Sequence, residues 1–120
     1  GTGHEEADRL FHLTIAQATN NPAIIYTIEN MWKMRSEAAQ VQKVYGAVCE
    51  KDSGHREREH RAILDALKAR DSSAARAAMR EHFTRMIEAL LVASEEEAYR
   101  EVKRKASESR SRFLLTSRIE

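Results

Sequence analysis

Only one cysteine, Cys49, occurs in the 120 residues, which excludes an internal disulfide framework and fits a protein of the reducing cytoplasm. Its ordinary role is that of a small packing residue rather than a nucleophile. One proline and four glycines leave few places where a helix must stop. No apolar run approaches the roughly 20 residues of a membrane span, and the first residues lack the charged-then-apolar layout of a secretory signal. The opening Gly1-Thr2-Gly3 reads as a cut edge or a tag remnant. Charge of one sign is missing too: 20 basic against 19 acidic residues argue against a chain that holds nucleic acid through its own field. The balance says little about small anionic ligands.

What remains is rich in helix formers, with 42% hydrophobic and 32% charged residues, the composition of one soluble globular domain. The pattern predicts an all-α protein. A first helix is expected from about Glu5 to Ala18, with Leu10, Phe11, Ile15 and Ala18 toward the core. Asn20-Asn21-Pro22 should end it and start the next, because asparagine tolerates a left-handed C-cap, caps helix N-termini, and precedes a proline suited to a first turn. The second helix is expected to run from Pro22 toward Val48, carrying Ile24, Ile25, Ile28, Met31 and Trp32. Lys51 to Gly54 reads as a turn, His55 to Ala69 as a third helix with Ile63, Leu64 and Leu67 on one side, and Asp71-Ser72-Ser73 as the cap of a fourth. That helix continues into a charged stretch from Glu95 to Arg112, and residues from about Arg110 to Glu120 read as a solvated or frayed tail. Phe113-Leu114-Leu115 in it could pack on a partner chain.

Four polar residues lie on the apolar stripes of these helices. At 100° per residue His12 falls at about 40° and Ile15 at about −20° from Asp8, so Asp8 and His12 are one turn apart on the inward face. His60 shares its direction with Ile63, Leu64 and Leu67, and His82 lies among Ala75, Ala78, Met79, Met86 and Ala89. Buried imidazoles and carboxylates must be satisfied by something. Each histidine taken alone is served by a nearby carbonyl or carboxylate, but three imidazoles and an aspartate from three helices together suit one borderline divalent ion: zinc, nickel, manganese or iron. His4 is a reserve ligand at most, and His55 sits in a charged run.

The second helix repeats the pattern with the opposite charge. Ile28, Trp32 and Arg35 are spaced four and three apart, so Arg35 continues the stripe. An inward guanidinium beside a metal suits a carboxylate ligand, since its planar donors grip both oxygens; the alternatives are that it snorkels outward or pairs with a glutamate. Trp32 beside it reads as core. Thr19 and Asn20 could bond ligand hydroxyls or merely cap the first helix.

Taken together, Asp8-x-x-Phe11-His12, Asn21-Pro22, Glu59-His60-x-x-Ile63, Asp71, Ala75, Met79 and His82 resemble the C-terminal effector-binding (FCD) domain of the FadR branch of GntR-type bacterial transcription regulators, in its metal-containing group. Order, spacing and accompanying apolar residues agree from roughly Glu6 to Phe83, about two thirds of the chain. The resemblance implies an antiparallel all-helical bundle with a metal in its core, Asp8, His12, His60 and His82 as ligands, and a small organic acid bound at the metal. Met31-Trp32-Lys33-Met34-Arg35 is similar to the Trp-x-x-Arg segment of regulators of hexuronate and related sugar-acid catabolism, which makes a sugar acid the favoured effector and Arg35, Trp32 and Asn20 its contacts; lactate or pyruvate are other candidates.

Members of that family begin with a winged helix-turn-helix domain and further bundle helices, which this sequence does not contain. It is therefore expected to be a C-terminal fragment, with residues 1–92 the last part of the bundle and 93–120 a charged helical extension. The bundle should be incomplete on its N-terminal side, and homodimer formation or swapping would complete it. The expected function is a cytoplasmic ligand sensor that touches DNA only through the missing domain. Two alternatives remain: a metal-dependent enzyme acting on small organic acids, and a ligand-free dimerisation domain. The enzyme is disfavoured because no further base lies on the inward stripes, and Glu59 and Glu81, each one residue before a ligand histidine, point about 100° away from it.

Overall fold

The computed structural model describes residues 2–119, and the side chains of 3–117; of the N-terminal tripeptide and the C-terminal tail, Gly1 and Glu120 lie outside the described residues. Four helices follow one another: α1 (Thr2–Ala18), α2 (Pro22–Glu37), α3 (Ala39–Lys68) and α4 (Ser72–Ile119). Among the described residues there is no strand, as composition predicts. Among the described residues no helix is long and apolar enough to cross a membrane.

The starts of α2 and α4 follow their local signals. Asn20 takes the left-handed φ of 53° that closes α1, and the extended Asn21 caps α2 by accepting from the Ala23 amide at 3.0 Å, with Pro22 in the first turn. At the other tight turn Arg70 has φ 55°, the Asp71 amide reaches back to the Ala66 carbonyl, and the Asp71 carboxylate accepts from the Ala74 amide at 3.0 Å.

The ends of α2 and α4 depart from expectation. The second helix stops at Glu37 rather than near Val48: Ala38 is extended (φ −82°, ψ 110°), donates to the Met34 carbonyl and accepts from the Gln42 amide, and so closes α2 and opens α3 with neither glycine nor proline. Lys51–Gly54 interrupts the helix without making a full turn: two helical segments meet at Asp52, whose backbone leaves helical geometry (φ −112°, ψ 15°), and α3 continues beyond it. The described part of the tail is solvated, as expected, but helical. Helix α4 continues to Ile119, its exposed end laced by Arg100–Glu97 (3.0 Å), Arg104–Glu101 (2.6 Å) and Arg104–Glu108 ion pairs, while Phe113, Leu114 and Leu115 remain exposed.

The chain divides into two compact units, one ending at Tyr45 and the other beginning at Gly46. In the first, α1 and α2 pair antiparallel, since Asp8 meets Arg35 and His12 meets Trp32. The buried face of α1 is Asp8, Leu13 and Ala16, rotated from the expected stripe, so that Leu10 is 51% exposed. In the second unit α3 and α4 form an antiparallel hairpin, Asp52 and Glu59 facing Arg85 and His60 facing His82. Ile63, only 1% exposed, anchors its core with Val48, Ala66 and Met86, whereas Leu64 and Leu67, expected beside Ile63, are exposed.

Candidate metal and effector site

Asp8 is the organising residue of the first unit. It is 6% exposed, placed inward by α1, and its two oxygens face different partners: Oδ1 lies 3.4 Å from His12 Nε2 and Oδ2 lies 3.5 Å from Arg35. The i, i+4 spacing that the sequence predicts thus places Asp8 and His12 together on one helix face. The Phe11 ring meets His12 edge-on at 5.2 Å, and Trp32 lies 6.2 Å away.

Arg35 does turn inward. Its guanidinium lies over the Trp32 ring at 4.4 Å and over the Tyr45 ring at 4.4 Å. Two aromatic faces hold the guanidinium plane, while the in-plane N–H groups face Asp8 and whatever else approaches its edge. Tyr45 is absent from the expected site; its place at the start of α3, beyond the break at Ala38, carries no local signal. Asn20, the third expected effector contact, forms the α1–α2 turn, where its side chain is exposed.

In the second unit His60 and His82 are brought together from α3 and α4, ring centroids 4.8 Å apart and edge to face. His82 is 3% exposed. Its Nδ1 lies 2.9 Å from Glu59 Oε1, and Glu59 is in turn gripped by Arg85, with Nε–Oε2 and Nη2–Oε1 both at 2.6 Å. The third nitrogen of Arg85 reaches Asp52 Oδ2 at 2.8 Å, at the bend of α3. Burial pushes the Glu59 carboxyl up, but the hydrogen bonds from Arg85 and His82 outweigh it and hold it below the usual carboxylate range. The bond to Glu59 raises Arg85 further in turn. Sequence reasoning sets Glu59 aside because it points away from His60; it does, and the direction it takes is toward α4. An acid one residue before a histidine on α3, with His82 and Arg85 three apart on α4, is the pattern that could have revealed this.

The donor chemistry fits a divalent metal. Asp8 and His82 are buried, His12 and His60 half-buried, and a carboxylate on Nδ1 of His82 is the arrangement that orients a metal-binding imidazole to offer Nε2.

The chain matches the FCD domain family over residues 2–85. It is 31% identical over 77 residues to the Uxu operon regulator of Haemophilus influenzae, covering 63% of this chain and 29% of that protein. It is 34% identical over 77 residues to the Exu regulon transcriptional regulator of Escherichia coli K12, covering 64% and 30%. The chain therefore spans about three tenths of the length of these relatives. No solved structure matches. Both relatives are named as regulators.

Proposed function

Since this chain belongs to the FCD domain family, we propose that it is the ligand-sensing module of a cytoplasmic transcription regulator, binding one divalent metal and a small carboxylate effector. Asp8, His12, His60 and His82 are the metal ligands, with zinc, nickel, manganese or iron as candidates. Arg35 receives the effector carboxylate, Trp32 walls its site, and Asn20 is the outermost contact. A sugar acid is the favoured effector, on the likeness of the Trp32-x-x-Arg35 segment and the two regulator relatives. Residues 1–92 make up the sensing module and 93–120 a helical extension; operator contact belongs to a winged-helix domain outside these residues, and the working form is a homodimer.

The observation that carries this reading is the position of Asp8, a buried carboxylate with one oxygen toward His12 and the other toward Arg35. A metal bound there supplies a positive centre for the effector's carboxylate. Arg35, held by its two aromatic neighbours, adds in-plane donors in a fixed orientation, so that an acid with a neighbouring hydroxyl can engage both. Effector binding then shifts the regulator between operator-bound and free states by its differential affinity for the two.

Elemental analysis, thermal melts before and after chelation, and melts with a panel of sugar acids and hydroxy acids test this reading. Near-stoichiometric metal, a lower melt on chelation and a melt raised by one acid are expected; an acid at a hundred times its Kd adds about 2.7 kcal/mol. A metal-free protein indifferent to chelator, added metal and every acid overturns the proposal and favours a ligand-free dimerisation domain.

A further inference from the structure

We infer that Glu59, clamped by Arg85 and through it tied to Asp52 at the bend of α3, is a positioning residue that fixes the proton and the ring orientation of His82. The inference rests on the metal reading above, and it concerns residues that are not ligands.

Arg85 has donors only. Its Nε and Nη2 point at the two oxygens of Glu59, each at 2.6 Å, a two-pronged grip that fits an ionised carboxylate. An ionised carboxylate only accepts. The 2.9 Å contact between Glu59 Oε1 and His82 Nδ1 therefore has one possible direction, with Nδ1–H donating. In neutral imidazole that places the lone pair on Nε2, the atom a metal needs. Glu59 Oε1 serves both Arg85 and His82, so the carboxylate cannot turn toward one without loosening the other.

Arg85 is itself fixed at a third point. Its Nη1 meets Asp52 Oδ2 at 2.8 Å, and Asp52 is the residue of α3 whose backbone leaves helical geometry. The hydrogen-bonded line from Asp52 through Arg85 and Glu59 to His82 thus spans both helices of the hairpin and joins the bend of α3 to one ligand. Its members are at most 26% exposed, so water competes weakly for these bonds. Without the line the bond that favours the Nδ1–H tautomer of His82 is lost, and its site would have to reorganise before taking a metal.

The test uses the whole chain labelled with 15N-histidine. In metal-free protein, imidazole nitrogen shifts should report the Nδ1–H tautomer for His82, assigned by the loss of its signals in His82→Gln. Zinc affinity is then measured by competition with a chelating dye. Glu59→Ala is expected to move His82 toward the Nε2–H tautomer and to weaken zinc by about 10- to 100-fold, the range for lost outer partners of metal ligands. Asp52→Ala, which leaves the Glu59–Arg85 pair in place and serves if Glu59→Ala does not fold, should weaken zinc by roughly two- to fivefold, as a partly buried ion pair would. A wild-type His82 in the Nε2–H form, or zinc affinity unchanged in the folded variants, overturns the inference while the metal reading stands. A wild-type protein in the Nδ1–H form that takes up none of zinc, nickel, manganese and iron overturns the metal reading and still supports the positioning of His82.

Discussion

Asp8 in the first unit and Glu59 in the second are both carboxylates with a histidine and an arginine as partners, and they are held in opposite ways. Glu59 is saturated: three contacts of 2.6–2.9 Å use both oxygens at the lengths of charge-assisted bonds. Asp8 faces His12 at 3.4 Å with one oxygen and Arg35 at 3.5 Å with the other, so its two oxygens are divided between partners on α1 and α2, whereas both oxygens of Glu59 are gripped by the single fork of Arg85. On the proposed function Asp8 binds and Glu59 positions, although the residue types around them are the same.

Arg85→Ala is the strongest way to break that contrast. It leaves Glu59 partly buried without its fork, and denaturation should show a loss of about 2–3 kcal/mol; a melt equal to wild type would mean that the Glu59 network is ornamental. Next in size, His60→Ala and His82→Ala should each lower zinc content and affinity by at least about tenfold, as read by elemental analysis after dialysis; metal retained by both would remove them from the site. Arg35→Lys sharpens the comparison from the other side. It keeps the charge and loses the planar fork, so effector affinity should fall roughly tenfold with metal content unchanged, measured by calorimetry with the acid that raises the melt. Tyr45→Leu should reproduce a fraction of that loss, roughly threefold, because one of the two faces holding Arg35 is gone. The smallest effect belongs to the exposed end of α4: Arg104→Ala breaks pairs to Glu101 and Glu108 that face water, and the melting temperature should not move measurably.

Signals that act within one or two turns were legible in the sequence. The Asn20-Asn21-Pro22 junction and the Asp71 cap are such signals, since a left-handed residue and a side chain bonded to an amide two or three positions on need nothing from the rest of the chain. So was the inward direction of Asp8, His12, Arg35 and His82, because one helical period relates each to its apolar neighbours. The break at Ala38 was not legible. It falls in Ser36-Glu37-Ala38-Ala39, where every residue accepts a helix and only packing beyond the local sequence can select an extended one. Gly54 misled for the complementary reason: glycine permits a turn without requiring it, and here it lies inside α3.

The sequence by itself determined an all-helical chain, the starts of α2 and α4, family membership through its motif order, and which helix faces carry metal-capable side chains, because all of these depend on spacing along one helix or on residue identity. The tertiary structure alone decided where α2 ends, that Tyr45 covers the second face of Arg35, and that Glu59 serves His82 of the opposite helix. Each depends on the register at which two helices or segments meet, and no periodicity within a single helix encodes that register.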